Sequence, residues 1–97
     1  MNFVFHPGAE AEYLESIAYF ESKRPGLGTS YINEFENAMR LVCASPHRYP
    51  IEKEPDVRRV RMKRFPYSVL YRETADVVQV LAIAHYRRRP AYWLGRL

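Results

Sequence analysis

Between Val57 and Tyr71 the chain reads V-R-R-V-R-M-K-R-F-P-Y-S-V-L-Y. Five of the seven residues from Arg58 to Arg64 are basic, and Val60 and Met62 alternate with cations. Period 2 is the period of a β-strand with one buried face. A helix cannot sort residues this way, because its neighbouring side chains stand about 100° apart. The alternation predicts a strand over residues 57–63. Val60 and Met62 enter a core, and Arg59, Arg61 and Lys63 form a row of cations on the opposite face. Such a face suits a polyanion or an acidic protein.

The rest of the charge agrees. Residues 1–56 carry five Lys and Arg against nine Asp and Glu, whereas residues 57–97 carry ten against two. The net charge of +4 conceals this segregation. Arginine, whose planar fork suits phosphate and carboxylate, outnumbers lysine twelve to three. At 97 residues the chain reads as one domain, residues 1–97, able to bury a core without staples. A single cysteine, Cys43, forms no internal disulfide, which fits a reducing cytosol and predicts a cytoplasmic protein. The opening residues lack the basic and apolar regions of a secretory leader, and no apolar run is long enough to span a bilayer, so no membrane role is expected.

Along the chain, residues 2–5 predict a first strand. Pro7 suits the first turn of a helix whose apolar stripe is Tyr13, Ile17 and Phe20, with Leu14 beside it. Glu10 and Glu12 favour that helix's N-terminal end. Pro25-Gly26-Leu27-Gly28 breaks it. A second helix is expected from Thr29, a possible N-cap, to Ser45-Pro46, with Tyr31, Phe35, Ala38, Met39 and Val42 inward. After the strand over 57–63, Phe65-Pro66 reads as a tight turn. Residues 67–72 alternate again, with Tyr67, Val69 and Tyr71 on one face and Ser68, Leu70 and Arg72 on the other. Val77 to Ala84 is a near-continuous apolar run, expected as the central strand. Pro90 opens a short C-terminal helical element with Tyr92 and Trp93. The expected fold is α+β, βααβββ: a helical hairpin on one face of a small, mostly antiparallel sheet.

A second basic cluster, Arg87-Arg88-Arg89, follows the apolar run and joins the strand cations as a candidate surface. Tyr67 and Tyr71 share a face with Val69 and read as core, while Tyr92 suits either core packing or stacking on a ligand. His6, His47 and His85 are widely separated, no metal-binding motif is present, and neither a metal nor a cofactor is expected. No phosphate-loop motif occurs.

These residues resemble the RelE/ParE toxins of bacterial type II toxin–antitoxin modules across nearly the whole chain. The resemblance rests on Pro7 and Glu10, on Pro25-Gly26-Leu27-Gly28 with Phe35, and on Pro46 through Tyr49-Pro50. It continues through Arg64-Phe65-Pro66-Tyr67 with Val69, Leu70 and Tyr71, then Leu81-Ala82-Ile83-Ala84-His85-Tyr86-Arg87-Arg88, and ends on Pro90, Tyr92-Trp93 and Arg96. It implies a growth-inhibiting toxin, made with an antitoxin whose C-terminal segment masks it, in a possible hetero-oligomer. It also implies one of two targets: mRNA in the ribosome, cut by RelE-like members, or DNA gyrase, inhibited by ParE-like members without nuclease activity.

By position, Arg59 and Arg61 stand where RelE-like enzymes carry strand lysines, and Tyr92 matches their assisting tyrosine. Arginine is a poor base, however. Ser68 replaces an expected arginine, and Tyr86 stands near the place of another, with Arg87 one residue away. The incomplete set turns the reading toward the ParE-like, non-nucleolytic branch, with Arg61, Arg87 and Tyr92 as the catalytic candidates if the chain is a nuclease. The expected target- or antitoxin-binding residues are Arg59, Arg61, Lys63, Arg64, Arg87, Arg88 and Tyr92. The partner is an antitoxin with an acidic, amphipathic segment. A non-toxic, partner-binding member is the third reading.

Overall fold

The computed structural model describes residues 1–97. The first strand, β1 (Asn2–Phe5), leads into α1 (Pro7–Lys23) and α2 (Leu27–Ala44). A 3-10 turn at Pro46–Arg48 precedes β2 (Ile51–Lys53), β3 (Val57–Arg61), β4 (Tyr67–Glu73) and β5 (Val77–His85), and a last 3-10 turn covers Leu94–Arg96. The five strands form one sheet in the order β1-β5-β4-β3-β2. Only β1 and β5 run parallel. The expected α+β hairpin-on-sheet architecture is present. The short β2 is additional to it, and β4, not the apolar run, is the central strand.

Helix α1 starts where Pro7 predicts. The His6 imidazole Nδ1 accepts from the Gly8 N–H at 3.0 Å and caps it. Helix α2 starts two residues earlier than expected. Its cap is Gly26, in the left-handed region at φ 91, a conformation open to glycine without strain. Glu21 of α1 supplies the missing side-chain cap, accepting from the N–H groups of Gly26 (3.1 Å) and Gly28 (3.0 Å). Tyr31, Phe35, Met39 and Val42 then face the sheet and are buried, as their spacing requires. Leu14 turns to solvent.

The sheet has two apolar faces. Val60, Val69, Tyr71, Val78, Val80 and Ile83 pack against the helices. Val57, Leu70, Leu81, Ala82 and Trp93 form a second cluster on the other side. A bulge divides the apolar run between these faces: Leu70 pairs with Ala82 and Tyr71 with Val80, so Leu81 is the extra residue. Leu81 and Ala82 therefore both join the second cluster, and the run needs no strict alternation.

That second face is covered by the C-terminal segment, residues 88–97, which lays Trp93 over β3, β4 and β5. The segment closes an edge as well. Past the end of β1, the outer edge of β5 lacks a strand partner, and exposed edges invite aberrant pairing. Here the Ile83 N–H donates to Glu12 Oε1 at 2.9 Å, and Arg96 Nη1 donates to the Leu81 carbonyl at 3.0 Å.

Candidate functional site

The open face carries a shallow groove of about 290 Å³ between β3 and the C-terminal segment. Arg59 and Arg61 reach it from β3 because they stand opposite Leu70 and Ser68 of β4, on the face away from the helices. Arg88 and Arg89 reach it from the turn after β5. Glu52 of β2 is the one acid on its rim and pairs with Arg59 at 3.3 Å, leaving the surroundings strongly cationic. Arg61 lies 5.6 Å from the centre of the Tyr86 ring, and the Arg88 guanidinium sits 3.8 Å over Tyr92, both within cation–π range.

Lys63 leaves the predicted row. The strand ends at Arg61, and the chain enters a turn in which Arg64 has φ 66. The alternation lapses there, so Lys63 does not reach the groove and lines a trough beside α2 with Arg40, Leu41, Arg48 and Tyr49, a trough that Arg61 also borders. Arg64 swings to the helix side and bonds Glu34 at 2.8 Å. Met62 still enters the core, as expected. Arg58 lies on the helix face of β3 and is spent on structure, donating to the Tyr49 carbonyl at 2.7 Å.

Of the second cluster, Arg88 and Arg89 line the groove and Arg87 does not. The Arg87 N–H donates to His85 Nδ1 at 3.0 Å, so that ring nitrogen serves the turn. Tyr92 lines the groove with its ring only. Its hydroxyl turns away and donates to Glu12 Oε2 at 2.7 Å. Burial, and then the bond to the Glu12 carboxylate, push the Tyr92 phenol far above its usual value. Arg96 completes this cluster with a two-pronged pair to Glu12, Nη1 and Nη2 each at 3.0 Å, which raises its own pKa.

Glu12 is the residue that sequence reasoning misplaced. It sits beyond the first turn of α1 and serves the C-terminal segment rather than the helix dipole. No local signal reveals this, because its partners lie more than seventy residues away. Arg89 and Tyr86 were also outside the expected binding set, though adjacent to its members. No group of three His, Cys, Asp or Glu side chains is placed to hold a metal ion, and no helix is long and apolar enough to cross a membrane.

A family model described as the ParE toxin of the type II toxin–antitoxin system, parDE, matches residues 3–90. No curated protein matches the chain. Among solved structures, a chain of the chromosomal ParDE TA system from P. aeruginosa superposes with a TM-score of 0.73 at 17% identity, covering 88% of this chain and 95% of that one. At that identity the likeness concerns the fold. The family match spans most of the sequence, including both helices and all five strands, and the chain belongs to the ParE toxin family of type II toxin–antitoxin systems.

Proposed function

We propose that the protein arrests growth as a non-nucleolytic inhibitor of DNA gyrase in the cytoplasm, and that a cognate antitoxin neutralises it. The observation that carries this reading is that four arginines converge on the groove, where the one acid, Glu52, is paired with Arg59 and the one histidine, His85, has its Nδ1 taken by the Arg87 N–H. Arg59, Arg61, Arg88 and Arg89 hold charge but hardly deprotonate. The Tyr92 hydroxyl is bound to Glu12 and is held protonated by burial. A surface of this kind binds better than it cleaves. The target-facing residues on this reading are Arg59, Arg61, Arg88 and Tyr92, with Lys63 and Arg64 displaced toward α2 and Arg87 outside the groove.

The antitoxin contribution is an acidic, amphipathic segment. The trough beside α2 supports that choice, since it sets Arg40, Arg48, Arg61 and Lys63 around the apolar Leu41 and Tyr49, and its one acid, Glu34, is paired with Arg64. Purified protein added to a gyrase supercoiling reaction is expected to block supercoiling or accumulate cleaved complexes, and Arg61→Ala to weaken this. Full supercoiling at excess protein would remove the proposal.

The convergence of Arg59, Arg61 and Arg88 on one groove favours ribosome-dependent mRNA cleavage as the second reading. Primer extension after induction decides it: codon-positioned cuts that vanish in Arg61→Ala would establish a nuclease. Unchanged growth on induction would point to a non-toxic, partner-binding member.

A further inference from the structure

The groove's cations come from two sources of unequal rigidity. Arg59 and Arg61 stand on β3, which is paired on both sides. Arg88 belongs to the C-terminal segment, where the backbone bonds are all local: the N–H groups of Arg88, Tyr92, Leu94, Arg96 and Leu97 donate to carbonyls three residues back. Side chains must therefore fix this segment to the rest of the molecule. Trp93 does so by burial, with only 4% of its surface exposed. Two polar anchors remain, the bond from Arg96 to the Leu81 carbonyl and the Glu12 carboxylate, and only Glu12 holds Tyr92 as well as Arg96.

The Glu12 carboxylate accepts from the Tyr92 hydroxyl, from both Arg96 nitrogens and from the Ile83 N–H. Its surroundings are shaped for this. A Cβ at Gly8 would stand 2.6 Å from Arg96 Cζ, so a larger residue there would push the guanidinium out of this place. The Tyr92 ring whose hydroxyl Glu12 holds is the ring on which Arg88 lies. A carboxylate on α1, which packs on the opposite face of the sheet, is thus two contacts from the groove.

We propose that Glu12 is a positioning residue for the basic groove: by holding Tyr92 and Arg96 it sets the C-terminal segment in the arrangement that presents Arg88 beside Arg59 and Arg61. This rests on the groove being the target-facing surface. Without the carboxylate, the Tyr92 ring loses its anchor at the hydroxyl end, and Arg88 loses the fixed platform beneath it.

The test has two arms. In the first, NMR spectra of the isotope-labelled full chain report the Arg88 side-chain protons, which the Tyr92 ring shifts upfield. Glu12→Gln is expected to return them toward random-coil positions. Glu15→Gln makes the same charge change at an exposed site on α1 and is expected to leave them in place. Should Glu12→Gln fail to fold, Tyr92→Phe removes only the hydroxyl and keeps the ring, and a reduced Arg88 shift is expected. Unchanged Arg88 shifts in the folded variant would overturn the proposal.

In the second arm, Glu12→Gln and Arg88→Ala are each expected to weaken gyrase inhibition about tenfold, with the double variant weakened no further. Multiplying effects would mean that Glu12 does not act through Arg88, and would also overturn it. A parent protein that leaves gyrase untouched removes the functional reading, and the first arm then decides the positioning role alone.

Discussion

Tyr31 is buried in the core, yet its hydroxyl has no hydrogen-bond partner. Ser16 stands beside it and donates its own proton to the Glu12 carbonyl at 2.8 Å, but its oxygen is not in hydrogen-bonding geometry with the Tyr31 hydroxyl. The ring itself is well used, stacking on Phe20 and meeting Phe65 and Tyr67 edge-on. An unsatisfied buried hydroxyl is a cost that removing the oxygen relieves. Tyr31→Phe is therefore expected to raise the unfolding free energy by about 1 kcal/mol, read from urea denaturation at unchanged m-value. A loss of stability would mean that the oxygen has a partner. The aromatic spacing that makes Tyr31 core was legible in the sequence. Its stranded hydroxyl was not, because satisfaction depends on what happens to stand opposite after packing.

At the scale of elements, the hairpin shows how one helix completes another. Gly26 caps α2 without a side chain, and Glu21 of α1 fills the role by accepting from the Gly26 and Gly28 N–H groups. The Pro25-Gly26-Leu27-Gly28 break revealed where α1 stops, but not that Glu21 reaches across it. Glu21→Ala is expected to cost about 1 kcal/mol, the usual value of an N-cap, as a lowered urea midpoint. Gly28 is buried where the helices touch, and an added Cβ would come within 3.1 Å of the Ile17 carbonyl oxygen. The strands divide similarly. Alternation located the row of Arg59 and Arg61, because period 2 is a property of the backbone. It failed for Lys63, because a turn with a left-handed residue follows Arg61 and the period ends with the strand.

Over the whole molecule, the acidic first half and basic second half fold onto one another, and the excess positive charge is left on the groove side and along the trough beside α2. Long-range attraction of an acidic partner follows, and salt screens it beyond about 8 Å at physiological strength. The association rate with an acidic antitoxin segment is expected to fall roughly tenfold from low to physiological salt in stopped-flow measurements. A flat rate would show that this charge does not steer the encounter. The tyrosines give the fold a second global response. Burial pushes Tyr13 and Tyr71 from 10.0 up to about 12 and raises Tyr31 and Tyr92 as well. Between pH 10 and 12 the unfolded chain has released phenolic protons that the native state keeps. Stability is therefore full below pH 10 and falls as pH rises toward 12, which denaturation midpoints across that range would register.

The amino-acid sequence alone determined the two helices, the order of every strand but β2, most of the faces they bury and the arginine pair on β3. All of these follow from periodicity and turn chemistry among neighbours in the chain. Only the tertiary structure decided that Arg88 and Arg89 meet that row, that Arg87 stays out, and that Glu12 holds the segment presenting Arg88. These are contacts between residues remote in sequence, brought together when the C-terminal segment covers the open face of the sheet. Their energies come from geometry, and nothing in the spacing of neighbouring residues records it.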